Sequence, residues 1–381
     1  MIDIALVRQA LHEIPELAFN ESKTKALLLH YLDKILPTAV YLDNFSLATL
    51  TPGWSIYQFK QSNGILVCFH QGKGSYRLFR ADMDALPVIE NCSSSFPSLH
   101  PGLMHACGHD VHMAILIGLI QAISKLPPSR NFLFLFQPAE EGKGGAESIL
   151  AEGVVQQFTV DSAIALHVAS ELPVGTISTK AGIFFGIPQE FDVQFIGKAS
   201  HVAYPEKGIN ALSAGLDFIS RMNTSIAALN ATERVIFNVG KMEAGTIRNI
   251  IPAKCLLEGT HRSLKKQVRN AINQMITTNA TLAAANVNAE TAVDFLCSYE
   301  PVVNNEGLVQ ELIEQCHELG YKYTEAETAM TGEDFGFFTT LYPGLLFWLG
   351  SGCDYPLHSD KFLPLEECIE VGIKLMLALA L

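Results

Sequence analysis

Residues 104 to 112 read MHACGHDVH, and later stretches supply a Glu-Glu pair at 140 and 141, a histidine closing an apolar run at 167, and a further histidine at 358. Cys107, His109, Glu141, His167 and His358 offer a thiolate, three imidazoles and a carboxylate. These are the donor types that two divalent cations need to share a bridging water. Each lies at a turn beside an apolar strand or helix, where a rigid element can aim it. The chemistry such a set serves is hydrolysis at a dinuclear metal centre.

The pair at 140 and 141 follows the apolar strand FLFLFQ directly and precedes the glycine-rich GKGGA. Two adjacent carboxylates at a partly buried strand end repel one another unless cations neutralise them. Neighbouring side chains point differently, so one can bind metal while the other reaches the water as general base. Asp82 and Asp84, in RADMDALP, close another strand, where either can bind metal or orient a ligating imidazole. Taken singly, a Cys-x-His pair, a histidine at a strand end and an aspartate pair at a turn are also what ordinary packing produces. Their combination in one chain is what points to a site. His105 and His112 flank the motif and are further possible ligands, so the residues alone leave the set open.

Holding such a set demands elements that end at one place. Residues 4 to 11 have helical spacing, and Ser22 is expected to cap a second helix reaching Leu36. ILVCFH (65 to 70) and YRLFRADMDA (76 to 85) read as strands. A buried helix is expected over 111 to 123, then the strands NFLFLFQ (131 to 137) and SAIALH (162 to 167). Strands alternating with helices imply an α/β fold, a mostly parallel sheet with helices on both faces. The strand ends at 82, 137 to 141 and 167 then converge on one sheet edge, where open α/β folds bind their substrates.

Near 186 the texture changes. FDVQFIG (191 to 197) and ERVIFNVGKM (233 to 242) alternate like half-exposed strands. Leu212, Leu216, Ile219, Met222, Ile226 and Leu229 form a helical stripe, as do Leu264, Val268, Ile272, Met275 and Ile276. Two helices on one face of an antiparallel sheet make an α+β module. Beyond 296 a helix (306 to 319), a strand (345 to 350) and a closing helix to Leu381 resume the first pattern. The expected organisation is a catalytic domain of residues 1–185 and 297–381 with a second domain, 186–296, inserted in it.

With 381 residues, 49% apolar and 17% charged, the chain has enough apolar material for two packed cores. A net charge of −13, with no basic run longer than Lys265-Lys266, argues against nucleic acid or an anionic membrane as partner. The start, MIDIALVRQALHEIPEL, carries acids and a proline where a signal peptide has a basic region and a long apolar run. The expected location is the cytoplasm. Eight cysteines without a CxxC pair do not resemble a disulfide framework, and most are expected to be buried thiols. No apolar stretch reaches the roughly 18 residues that a membrane helix requires.

LHEIPELAFNESKT, RADMDALP, MHACGHDVHMA, FLFQPAEEGKGGAE, ALHVASELPVGTI, GKASHVAYPEKGINA, NIIP (249 to 252), TGEDFGFF and LHSDKF resemble the metal-dependent aminoacylase/carboxypeptidase superfamily of amidohydrolases. More narrowly they resemble its branch of hippurate hydrolases, auxin-conjugate hydrolases and bacterial N-acetyldiaminopimelate deacetylases. Within that branch, ALHVASELPVGTISTKAG, AMTGEDFGFF and LLFWLGSG look closest to the deacetylases.

The resemblance implies that Cys107, His109, Glu141, His167 and His358 hold metal, that Glu140 is the general base, and that Asp82 and Asp84 are the acidic pair of the site. It implies that His201, in GKASHVAYP, is a lid histidine stabilising the tetrahedral oxyanion, in relatives often from the partner subunit of a homodimer. Asn249 and Arg262 match lid positions that hold a substrate carboxylate, for which the guanidinium fork is suited. His261 and the HSDKF ending depart from the commoner pattern, which bears on the pocket wall. The implied cofactor is two divalent ions; a thiolate among imidazoles and carboxylates suits Zn, and Mn, Co or Ni also fit. The implied substrate is a small N-acyl amino acid, first N-acetyl-L,L-diaminopimelate of lysine biosynthesis, with hippurate or a broad range of acyl amino acids as alternative. A homologue that binds metal or ligand without turnover is the reading of another class, and the intact Glu140 stands against it.

Overall fold

In the computed structural model, residues 2–127 and 130–381 are described. The strand Asn131–Gln137 is buried at every position, which a strand of continuous apolar character achieves only when both sheet faces are covered. It runs parallel to Tyr76–Asp82, with Gln137 opposite Asp82. Tyr76–Asp82 pairs in parallel with Val160–Ala169, and that strand with Gly344–Gly350. These four strands form the middle of a sheet of eleven strands among the described residues. Pairing turns antiparallel toward one side, where Ile65–His70 joins Asn131–Gln137 and Gly53–Gln58 joins Ile65–His70. The sheet is therefore mostly parallel with helices over it, as expected.

The helix His109–Ile123 is buried at every residue but Ala122. It lies beside the helices Ile4–His12 and Glu367–Ala380. Glycine makes that approach possible: a Cβ on Gly118 would stand 2.3 Å from Ile373, and one on Gly372 would stand 2.5 Å from Ile115. The second helix runs from Ser22 to Ile35, but Ser22 does not cap it. The carboxylate of Glu16 accepts the N–H groups of Lys23 and Thr24 at 2.8 Å and does that work instead.

The chain divides into two compact units, one of residues 1–184, 302–328 and 334–381, the other of 185–301 and 329–333. The second therefore extends past the expected end at 296 and takes back a short later segment, tied in by the Gly186 N–H donating to the Ala329 carbonyl at 2.8 Å. Its sheet is antiparallel, in the order Ile236–Ala244, Lys254–Ser263, Ile187–Ile196, Glu290–Ser298. Helices Ala211–Leu229 and Lys266–Val287 pack on it through Phe191, Phe195, Phe218, Ile272 and Ile276. The buried face of Ala211–Leu229 is rotated from the expected stripe: Leu216 is 57% exposed and Phe218 lies in the core. Small residues at 211, 214 and 215 explain the rotation, since a Cβ on Gly215 would come within 2.6 Å of Cys255 Sγ. Close approach over small residues buries more than a larger side chain held off the sheet would.

All eight cysteines are free, and six of them are buried. Among the described residues no helix is long and apolar enough to cross a membrane.

Candidate metal centre

Gly108, at φ 83°, turns the chain between Cys107 and the first residue of the helix His109–Ile123. A side chain there would stand 2.4 Å from Val168. The turn leaves Cys107 Sγ 3.4 Å from His167 Nε2 and 3.3 Å from His358 Nε2, and His358 Nε2 is 3.3 Å from Glu141 Oε1. Donor atoms of Cys107, His109 and His167 all lie within 4.8 Å of one another; so do those of Cys107, Glu141 and His358, and those of His109, Glu140 and Glu141. Two of these groups share Cys107.

The hydrogen bonds around the cluster decide which nitrogens face inward. A carbonyl only accepts, so His167 Nδ1, 2.8 Å from the Val168 oxygen, carries the proton and Nε2 keeps its lone pair toward Cys107. The His358 main chain, at φ 67°, is tied to the metal-loop turn by its N–H donating to the Ala106 carbonyl at 2.8 Å. His112 accepts the Val168 N–H at Nε2, 2.9 Å, and donates from Nδ1 to Asp82 Oδ1, 2.6 Å. Both of its nitrogens are thereby engaged, and donor atoms of Asp82, His109 and His112 also lie within 4.8 Å of one another. His105 is buried and belongs to none of the donor groups found among the described residues.

Asp82 is fully buried. Besides His112 it binds Arg80 Nη1 through Oδ2 at 2.7 Å, and Oδ1 stands 3.7 Å from His109 Nδ1. The sequence predicts a catalytic role for Asp82; the structure encloses its carboxylate between Arg80, His112 and His109. Arg80, not singled out from the sequence, also donates to Gln137 Oε1 at 2.9 Å and Asp334 Oδ1 at 2.8 Å. The available signal was an arginine inside an apolar strand, which requires buried acceptors. Asp334, within the TGEDFGFF stretch, further accepts the Ala146 N–H at 2.9 Å. The expected partner role for Asp84 takes a specific form: its oxygens accept the N–H groups of Glu140 and Glu141, each at 3.0 Å, and Oδ1 is 3.5 Å from His109 Nδ1.

These residues fit a cation. Both ring nitrogens of His109 are buried without a hydrogen-bond partner. Burial disfavours its charged form, yet the nearby charges of Asp82, Asp84 and Glu141 lift its pKa to about 10. Burial, and then the charges of Glu141, Glu140 and Asp82, push the Cys107 thiol up. His167 is pushed down to about 3 by burial and the neighbouring His112 and His109. A thiol and several carboxylates crowded around one orphaned imidazole is a cluster with excess negative charge, which divalent cations would neutralise.

His201, Asn249 and Arg262 belong to the second unit. His201 is exposed, and its Nδ1 accepts the Ala203 N–H at 3.0 Å. Its main chain bridges Ile250, and the Val202 N–H donates to the Asn249 carbonyl at 3.0 Å, so His201 and Asn249 lie on adjoining segments. Arg262, in the strand Lys254–Ser263, donates to Thr260 Oγ1 at 2.6 Å, and among the described residues no hydrogen bond or ion pair joins it to them. His261 is fully buried, with Nε2 2.7 Å from Asn273 Oδ1, and burial lowers its pKa to about 4. It is a neutral packing residue between strand and helix.

Residues 78–381 match peptidase family M20/M25/M40. The chain is 37% identical over 385 residues to an N-acetyldiaminopimelate deacetylase of Oceanobacillus iheyensis, an alignment covering 100% of this chain and 99% of that one. Its identity to the N-acetyldiaminopimelate deacetylase of Shouchella clausii is 36% over 381 residues, 99% and 97% of the two chains. The Bacillus subtilis YXEP protein, a dinuclear metal-binding peptidase of the M20 family, has the same fold at a TM-score of 0.82 and 28% identity, with 99% and 96% covered. Matched over most of its length by the family pattern and over all of it by these relatives, the chain belongs to peptidase family M20/M25/M40.

Proposed function

We propose that the protein is a metal-dependent amidohydrolase that releases acetate from N-acetyl-L,L-diaminopimelate. The observation that carries the hydrolytic reading is the pair of donor groups meeting at Cys107 with the Glu140-Glu141 turn beside them. Cys107, His109, Glu141, His167 and His358 would hold two divalent ions, of Zn, Mn, Co or Ni. Bound there, such ions would polarise the scissile carbonyl and lower the pKa of the attacking water.

The remaining chemistry falls to the chain. Glu140, at the strand end and nearly buried, takes the proton of the attacking water on its carboxylate and returns it to the nitrogen of the leaving amine. Asp82 and Asp84 keep the His109 ring aimed at the cluster. On the resemblance alone we assign oxyanion stabilisation to His201 and the substrate carboxylate to Asn249 and Arg262. A homodimer in the cytoplasm is part of the same reading. Mixing His201→Ala with Glu140→Gln chains tests it, because activity recovered on subunit exchange requires His201 to act across an interface.

The substrate rests on the names of the relatives together with one physical argument. Diaminopimelate carries an ammonium and a carboxylate remote from the scissile amide. A site built for it leaves polar groups unpaired when an aliphatic or aromatic substrate binds, at roughly 1–3 kcal/mol each. A panel of N-acetyl-L,L-diaminopimelate, hippurate and N-acetylmethionine tests this. The first is expected to have the highest kcat/KM, and equal or reversed values would move the assignment to a general aminoacylase.

A further inference from the structure

The turn that carries Glu140 has three successive main-chain N–H groups, and each meets a buried carboxylate. Those of Glu140 and Glu141 go to Asp84. That of Ala139 goes to Glu21 Oε1 at 3.0 Å, across a sequence separation of 118 residues. Ala139 is a non-glycine residue in the left-handed region, φ 59° and ψ 42°. Such a conformation persists only where the surroundings impose it. The same Glu21 oxygen accepts the N–H of Phe19 at 2.8 Å, and Phe19 also has a positive φ, 64°. One oxygen thus clamps two strained residues. The other oxygen accepts Asn63 Nδ2 at 3.0 Å.

Glu21 is fully buried, and among the described residues no Lys or Arg pairs with it. A carboxylate kept in such a place costs desolvation, so what it holds is the informative point. The left-handed Ala139 is the step that turns the chain from the strand Asn131–Gln137 into the short helical turn Glu140–Lys143. Were Ala139 to relax toward negative φ, the direction in which Glu140 leaves the turn would change first. Glu140 and Glu141 would both remain tethered to Asp84 through their N–H groups, so the change falls on how the Glu140 side chain leaves the turn and not on where the turn sits.

We propose that Glu21 is a positioning residue for the reaction: by holding Ala139 left-handed, it sets the direction in which Glu140 presents its carboxylate. This rests on the reading of Glu140 as the base. A displacement of about 1 Å in a reacting group can cost on the order of a hundredfold in rate. Loss of Glu21 therefore acts on kcat and leaves metal content and KM in place.

The test compares Glu21→Ala, Glu21→Gln, Asn63→Ala and Glu140→Gln, with bound metal and melting temperature measured on each. Glu21→Ala is expected to lose about ten- to a hundredfold in kcat at unchanged metal stoichiometry, with KM within about twofold. Glu21→Gln keeps an acceptor for both N–H groups and should recover most of that loss. If Glu21→Ala does not fold, Asn63→Ala decides, because it frees only the outer oxygen; a severalfold fall in kcat with KM and metal unchanged is expected. A kcat within twofold of wild type in the decisive variant, or a loss explained by missing metal, overturns the proposal. Full activity in Glu140→Gln instead removes the base assignment and this inference with it.

Discussion

Asp82 receives the Nδ1 proton of His112 at 2.6 Å, and through that bond it fixes a ring whose other nitrogen holds the Val168 N–H beside His167. One buried carboxylate thus braces two strands and the helix that begins at His109. An asparagine cannot serve both Arg80 and His112 as an acceptor equally well. Asp82→Asn is expected to weaken metal binding by about 10- to 100-fold, the usual scale for losing a group that stands behind a metal-binding imidazole, here His109. Competition with a chromophoric chelator would measure it, and an unchanged affinity would deny Asp82 that role.

Two adjacent glutamates should separate cleanly. Glu140→Gln is expected to keep metal and lose at least about a hundredfold in turnover, the scale for a general base. Glu141→Gln should lose metal. Metal analysis alongside steady-state kinetics distinguishes them, and the opposite pattern would exchange the two roles. Chelation should abolish wild-type hydrolysis and Zn, Mn or Co restore it; activity in rigorously metal-free protein would exclude the mechanism.

Gly145 tests the shape of the same turn. A Cβ there would lie 1.7 Å from the Pro138 carbonyl oxygen, a main-chain atom with no freedom to yield. Gly145→Ala must displace the segment that carries Glu140. Hydrolysis should fall by at least about a hundredfold, with a lowered melting temperature; wild-type kinetics in this variant would mean that the turn tolerates displacement.

Stability should depend on pH through His12. Its Nδ1 lies 2.9 Å from Asp110 Oδ2 and its Nε2 lies 3.4 Å from Glu90 Oε1, while Arg8 shares Asp110 at 2.8 Å and the His105 ring is 6.4 Å away. Burial disfavours the charged ring, but the charge and bond of Asp110 and the bond of Glu90 outweigh burial and the opposing Arg8, raising the pKa from 6.5 to about 9. A folded-state pKa above the unfolded one means that protonation favours the fold. The contribution, about 3 kcal/mol at most, is complete below pH 6.5 and lost as pH rises toward 9. The melting temperature should fall across that range in the wild type and much less in His12→Asn. Equal slopes would show that His12 is not the group responsible.

Donor chemistry was legible in the chain because it is a matter of residue type and of strand ends. HACGHD before an apolar helix, a Glu-Glu pair after NFLFLFQ and a histidine closing IALH each needed only local pattern to be found. The parallel sheet followed from the same alternation. The face of the helix Ala211–Leu229 was misjudged because apolar size was counted while the close approach permitted by Gly215 was not. That both His112 nitrogens are engaged could not be read from the chain, since the Val168 N–H that occupies one of them lies 56 residues away. Arg80, Asp334 and Glu21 stayed unseen for the same reason: their partners are 254 residues off for the first two and 118 for the third. Hydrogen-bond satisfaction is a property of what surrounds an atom in space. Which nitrogen keeps its lone pair, and which groups enclose a buried acid, is therefore decided only when distant segments close around the cluster.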